Sequence, residues 1–137
     1  MASIFTRIIN GEIPCYKVAE SEKFLAFLDI SQLAKGHTLV IPKIEIDYIF
    51  NIDDLLLSEL FVFSKKVALA IENVIPCKRI GITVIGIEVP HAHVHLIPIN
   101  NVSDMNFARP KLSFSPEEMK TVAEKISKVF YQNHKGA

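Results

Sequence analysis

Apolar residues recur along this chain with two periods, and each switch between them marks an element. Tyr16 to Ala19 and Phe24 to Ile30 are short apolar runs joined by the polar Glu20-Ser21-Glu22-Lys23. That pattern predicts two strands paired as an antiparallel hairpin. Before them, Asn10-Gly11-Glu12-Ile13-Pro14 reads as a turn, because Asn-Gly favours positive φ and Pro14 fixes the backbone that follows. Thr38-Leu39-Val40-Ile41 is β-branched and apolar, begins after Gly36-His37 and ends at Pro42, which predicts a third and central strand. Leu55, Leu56, Leu60, Phe63, Val67, Ala70, Ile71 and Val74 then follow helical spacing behind the acidic Asp53-Asp54, and the helix should stop before Pro76. Arg79 to Ile85 and His91 to Ile99 return to strands four and five. Ser115-Pro116-Glu117-Glu118 starts a last helix, with Ser as N-cap, Pro at the first position and Glu at the third. Met119, Val122, Ala123, Ile126, Val129 and Phe130 form its apolar face.

The fifth of these strands carries the chemistry. His91-Ala92-His93-Val94-His95-Leu96 alternates imidazoles with apolar residues, so period two sends the three histidines to one face and their partners to the other. At a rise of about 3.3 Å per residue, neighbouring imidazoles start about 7 Å apart. Such a row of groups titrating near neutrality suits chemistry on an anion. Like charges at this spacing depress one another's pKa values, which predicts a mixture of neutral and cationic rings near pH 7.

Three readings of the row compete. Histidines satisfied within a core are the plainest. A metal site is the second: His-x-His can give two imidazoles to zinc, but three in a row do not easily converge and no carboxylate or Cys follows closely behind them. The third is nucleophilic attack on phosphorus, for which a neutral imidazole is competent at neutral pH while flanking rings hold oxygens or protonate the leaving group.

Composition narrows the partners. The 137 residues are half hydrophobic, enough for one domain with a substantial core. Lys plus Arg (15) equals Asp plus Glu (15), and no basic stripe exists, so nucleic acid and anionic lipid lack their electrostatic driver. A small anionic ligand stays compatible. Neither a signal-peptide pattern nor a membrane-length apolar stretch occurs, which gives a cytoplasmic expectation without membrane attachment. Cys15 and Cys77 form no CxxC motif and are expected as free thiols. Gly81 and Gly86 belong to no GxGxxG or Walker pattern.

The run His91-Ala92-His93-Val94-His95-Leu96-Ile97 resembles the signature of the histidine triad (HIT) family, His-φ-His-φ-His-φ-φ with φ apolar. The resemblance extends to Ile4-Phe5-Thr6-Arg7-Ile8-Ile9-Asn10-Gly11-Glu12-Ile13-Pro14, to Leu25-Ala26-Phe27-Leu28-Asp29-Ile30 and to Lys35-Gly36-His37-Thr38-Leu39-Val40-Ile41-Pro42-Lys43, in family order. It covers roughly residues 3 to 100 and implies an α+β, HIT-like fold: a five-stranded antiparallel sheet with two main helices, here with a helical extension at about 115 to 134.

The resemblance also implies an activity. It is hydrolysis or transfer at the α-phosphate of a nucleoside phosphoramidate or dinucleoside polyphosphate, through a nucleotidyl-histidine. By position His93 is the nucleophile, His95 contacts the α-phosphate or leaving group, His91 fixes the neighbouring rings, and His37 is a fourth histidine from an earlier strand. Asp29 falls where ribose hydroxyls bind, and Phe5, Ile8, Phe27 and Ile30 where the nucleobase lies. Judged without the family, Ile8 and Phe27 read as ordinary core. The implied partners are a purine nucleotide or nucleotide conjugate and a second copy of the chain; no cofactor and no catalytic metal are expected. Leu57, Phe61 and Val62 widen the apolar surface of the long helix beyond one stripe, in keeping with a homodimer.

The chain departs from the family pattern at two places. Ser3 and Thr6 stand where some branches have the two Cys of a structural zinc site and Glu45 stands near its His, so no structural zinc is expected, as in a bacterial-type branch without that site. Ile87 and Glu88 take the places of a Gln and a Ser or Thr before the triad. A carboxylate there repels phosphate, which predicts a preference for a phosphoramidate over a long polyphosphate. A catalytically weak nucleotide-binding or interaction protein of the same fold is the rival expectation, and a metal-dependent hydrolase the third.

Overall fold

In the computed structural model, residues 2–134 are described; Met1 and residues 135–137 of the expected domain lie outside them. Helix α1 (Ile4–Ile9) leads into the hairpin of β1 (Lys17–Glu20) and β2 (Phe24–Leu28), followed by β3 (Thr38–Pro42). The long helix α2 (Asp54–Val74), β4 (Arg79–Thr83), β5 (Val94–Ile99) and helix α3 (Pro116–Asn133) complete the order, with short 3-10 turns at Ile49–Asn51 and Val102–Met105. All strand pairings are antiparallel, and the sheet order β1-β2-β3-β5-β4 puts β3 at the centre as its apolar run predicts. The caps also follow the sequence. Asp53 accepts the Leu56 N–H at the start of α2, and Ser115 with Glu118 forms a reciprocal capping box on α3.

Several boundaries differ from expectation, and β1 is displaced by one residue from the predicted Tyr16 to Ala19. Strand β5 begins at Val94, so His91 and His93 precede it. Its ladder with β3 pairs Val40 with Val94 and goes no further, because the next positions of β3 lead to Pro42, which has no N–H to give. The Ala92 N–H bonds Ile46 O instead. Strand β2 stops at Leu28 rather than Ile30, where Asp29 turns the chain by accepting the Ser31 N–H. Strand β4 stops at Thr83, two residues short of Ile85.

Helix α1 was not foreseen. Its signal is short but readable: Ser3 accepts the Thr6 N–H as N-cap, and Phe5, Ile8 and Ile9 lie at three- and four-residue spacing on one side.

The sheet is covered on both faces. Helices α2 and α3 pack Leu60, Phe63, Val67, Ile71, Met119 and Ile126 against Phe24, Ala26, Leu28, Val40, Val94 and Leu96. On the other face, Phe5 of α1 joins Leu25, Phe27, Leu39 and Ile41. Each fully buried large side chain contributes about 1.5–3 kcal/mol of transfer free energy. Since Ala92, Val94 and Leu96 face the helices, the alternation turns the histidines toward the α1 side.

Candidate active site

His95 sits within β5, paired with Leu39 on one side and Thr83 on the other, so the middle of the sheet fixes its backbone. His37 immediately precedes β3. It is delivered by Gly36, whose φ of +92° is open to glycine and whose missing Cβ would stand 2.8 Å from Ile75 Cγ1. The two rings meet with His37 Nε2 3.0 Å from His95 Nδ1.

Backbone groups decide which nitrogen of each ring holds a proton. The Leu33 N–H donates to His37 Nδ1 at 3.0 Å, so the proton of neutral His37 is on Nε2 and points at His95 Nδ1. His95 therefore carries its own proton on Nε2. His93 Nδ1 lies 2.8 Å from the His91 carbonyl oxygen, which can only accept, so His93 donates from Nδ1 and leaves the Nε2 lone pair bare. His91 donates from Nε2 to Pro42 O at 2.8 Å and accepts at Nδ1 from Ser3 Oγ at 2.9 Å. Among the described residues no buried side-chain nitrogen or oxygen lacks a partner, so the unpaired Nε2 atoms of His93 and His95 both reach the surface. A bare nitrogen and an N–H thus stand side by side, on rings whose centroids are 4.9 Å apart.

That distance is shorter than the 7 Å backbone spacing, because the side chains lean together. All four rings are buried, and burial sets the charge of His37, His95 and His91. It pushes His37 down to about 3, helped by the charges of His95 and Lys111, and His95 down to about 4, helped by His93. His91 is also lowered, chiefly by burial, against the Pro42 carbonyl and Glu45. The expected mixture of neutral and cationic rings is therefore corrected for these three: desolvation outweighs any gain from charge and holds them neutral at pH 7.

The other expected residues divide. Asp29 has a side chain only 18% exposed, with Oδ2 3.6 Å from His37 Nε2. Burial raises its pKa, opposed by the Ser31 N–H, with Glu88 adding to the rise. Phe5 and Phe27 are buried edge to face at 5.6 Å with Ile8 packed beside them, and the Phe5 ring reaches His93 at 5.0 Å. Ile30, unlike them, is 78% exposed. Glu88 is exposed on the loop between β4 and β5.

Two residues escaped the sequence reading. The Phe107 ring packs edge to face on His95 at 5.0 Å and on His37 at 6.2 Å. Lys111 Nζ is held by the carbonyls of Phe107 and Arg109 and lies 6.0 Å from the Phe107 ring. The Leu112 N–H bonds Gln32 O at 2.7 Å and ties this segment to the loop before β3. No local period announces such a contact.

Asp29, His37 and His95 bring possible metal-ligand atoms within 4.8 Å of one another. Their donor types suit zinc, but the two ring nitrogens share a proton at hydrogen-bond distance and the Leu33 N–H occupies the other nitrogen of His37, so an ion would have to displace that proton. At the positions corresponding to a structural zinc site, Ser3, Thr6, Glu45 and His91 do converge. Two hydroxyls, a carboxylate and an imidazole already bonded to one another are not the soft donor set of such a site.

Comparison with known proteins places this geometry among relatives. The HIT domain family model matches residues 10–102. The chain is 38% identical over 135 residues to the Bacillus subtilis protein named Protein hit, covering 91% of this chain and 92% of that one. It is 38% identical over 130 residues to the adenosine 5'-monophosphoramidase of Schizosaccharomyces pombe, covering 93% and 97%. The crystal structure of a Hit-like protein from Bartonella henselae superposes with a TM-score of 0.81 at 29% identity, covering 93% of this chain and 95% of that one.

Proposed function

The chain belongs to the HIT domain family, and from that premise we propose that it hydrolyses a nucleoside phosphoramidate through a covalent intermediate on His93. One observation carries this reading: His93 donates from Nδ1 to the His91 carbonyl, so its Nε2 lone pair is free beside the Nε2–H of His95. His93 Nε2 attacks the α-phosphorus while the His95 Nε2–H hydrogen-bonds a phosphoryl oxygen, and the P–N bond breaks as the amine leaves with a proton taken from solvent. Water then attacks the nucleotidyl-histidine and loses a proton to solvent, while His93 leaves with its electron pair and both rings return to their starting states. An adenosine 5'-monophosphoramidase among the relatives supports this substrate class.

In this reading Asp29 accepts ribose hydroxyls, Phe5, Ile8, Phe27 and Ile30 flank a purine base, and His91 and His37 hold the tautomers of their neighbours. The step uses no catalytic metal. Phe61, Val62 and Leu69 are exposed on α2 and offer a face for a second copy; a monomer by light scattering at micromolar concentration would count against the dimer. Leu57 packs instead against the core. A cytoplasmic setting accords with Cys15 and Cys77 as free thiols. No helix among the described residues is long and apolar enough to cross a membrane.

The test is turnover of an adenosine phosphoramidate and its guanosine analogue by wild type and His93→Ala with excess chelator. Activity lost only in His93→Ala supports covalent histidine catalysis, and the ratio of the two substrates gives the base preference. Glu88, whose charge acts on Asp29, favours a second reading in which the groove binds nucleotides with little turnover. Micromolar binding by calorimetry without wild-type activity would select it.

A further inference from the structure

Polar groups from three separate parts of the chain meet at the ring of His91. Glu45, in the loop after β3, accepts the Thr6 hydroxyl at 2.6 Å and the Ser3 backbone N–H at 2.7 Å, both through the same oxygen, Oε1. The Thr6 proton is thereby committed to the carboxylate. Ser3 Oγ accepts the Thr6 N–H at 3.0 Å, and its own proton goes to His91 Nδ1 at 2.9 Å rather than to the more distant Thr6 Oγ1 at 3.4 Å. At the far end of the ring, His91 Nε2–H donates to Pro42 O. The Thr6 O–H and Ser3 N–H donate to Glu45 while the Ser3 O–H donates to His91, whose own proton is held on Nε2 by Pro42 O.

The cluster also anchors α1. Six residues do not form a stable helix by themselves, so this one depends on its attachments. Its Phe5 ring lies edge to face on both His91 at 5.8 Å and His93 at 5.0 Å, and the His91 backbone carbonyl receives the His93 Nδ1–H. Two contacts of the His93 ring, with Phe5 and with the His91 carbonyl, thus come from residues next to the groups that bond Glu45. Its hydrogen bonds to Thr6 and Ser3 also keep Glu45 ionised, at about 2, so the acceptor persists across the working pH range.

We propose that Glu45 is a positioning residue which, acting through Ser3 and Thr6, seats α1 against His91 and His93 and holds the Ser3 hydroxyl on His91 Nδ1. The catalytic consequence rests on the reading of His93 as nucleophile; the docking of α1 does not. Glu45 is exposed, so replacing it removes the bonds without opening the core.

The experiment compares wild type, Glu45→Ala, Glu45→Gln and Thr6→Val by long-range ¹H–¹⁵N spectra of the imidazoles, amide exchange across residues 4–9, and kcat and KM on the adenosine phosphoramidate. Glu45→Ala should show shifted ring ¹⁵N signals at His91 and His93, at least about tenfold faster exchange in α1, and a kcat about tenfold lower at nearly constant KM, the size of one lost hydrogen bond to a charged group. Glu45→Gln should match wild type, since one amide oxygen can accept both bonds. Thr6→Val keeps the branched shape and should fall between the two. Wild-type ring signals and α1 exchange in Glu45→Ala, or a Glu45→Gln as impaired as Glu45→Ala, would overturn the proposal. Absence of wild-type turnover would count against the hydrolase reading alone, because the ring signals still decide the role of Glu45.

Discussion

His37 Nε2 and His95 Nδ1 stand 3.0 Å apart with one proton between them, and a backbone N–H from Leu33 on the far side of His37 decides to which ring it belongs. The same bond keeps the proton of His95 on the nitrogen that faces solvent. A fully buried ring thus decides which nitrogen of His95 carries its proton.

Replacing His37 with Ala should release that control. His95 can then hold its proton on either nitrogen, and the Leu33 N–H loses its acceptor in a buried place. The expected result is a kcat lower by about 10- to 100-fold with little change in KM. Urea unfolding should show about 1–3 kcal/mol less stability, the cost of an unsatisfied buried donor. An unchanged kcat would mean that His95 needs no partner at Nδ1.

Acid should destabilise the fold from an unusually high pH. Imidazoles of the unfolded chain protonate near 6.5, whereas the folded protein keeps His37 neutral to about 3 and His95 to about 4. Below about pH 6.5 the unfolded state binds protons that the native state refuses, so stability falls from there toward pH 4; above about pH 7 these rings contribute no slope. The raised pKa of Asp29 acts in the opposite sense, but only at the acid end. Urea midpoints at pH 7.5, 6.0 and 5.0 should decline in order, and neither ring should titrate above pH 5 by NMR. A constant midpoint would contradict the burial argument.

Phe107→Ala should uncover the His95 and His37 rings. Water would then reach both, and their pKa values should move up toward 6.5, visible as titration of His95 inside the range where the wild-type ring is silent. Stability should drop by at least the roughly 0.5–1.5 kcal/mol of an aromatic edge contact. Lys111→Ala should leave the rings covered and change instead the preference among leaving groups of different charge, measured as kcat/KM ratios.

Gly36→Ala should cost about 2–4 kcal/mol, combining a left-handed backbone with a Cβ pressed on Ile75. Gly11→Ala is the control. Its φ is +80° but a Cβ there meets nothing within 4 Å, so only the backbone penalty of about 1 kcal/mol applies. Equal losses at both positions, by thermal or urea unfolding, would show that the contact with Ile75 adds nothing.

What the sequence determined was whatever depends on near neighbours along the chain. Alternation at His91 to Leu96 assigned the imidazoles to one face and Ala92, Val94 and Leu96 to the helix-side core, and caps at Asp53 and Ser115 marked the starts of α2 and α3. The run from Thr38 to Ile41 marked the central strand. The tertiary structure decided the rest, because it depends on groups far apart in the chain. Pro42 ended the ladder below Val94, so the first two histidines of the row left the strand; Leu33, Pro42 and the His91 carbonyl then chose the proton-bearing nitrogen of each ring. Burial by α1 and by the segment around Phe107 set the charge of His37, His91 and His95. A spacing of two residues can place an imidazole on a face, but its tautomer and pKa belong to whatever the fold packs against it.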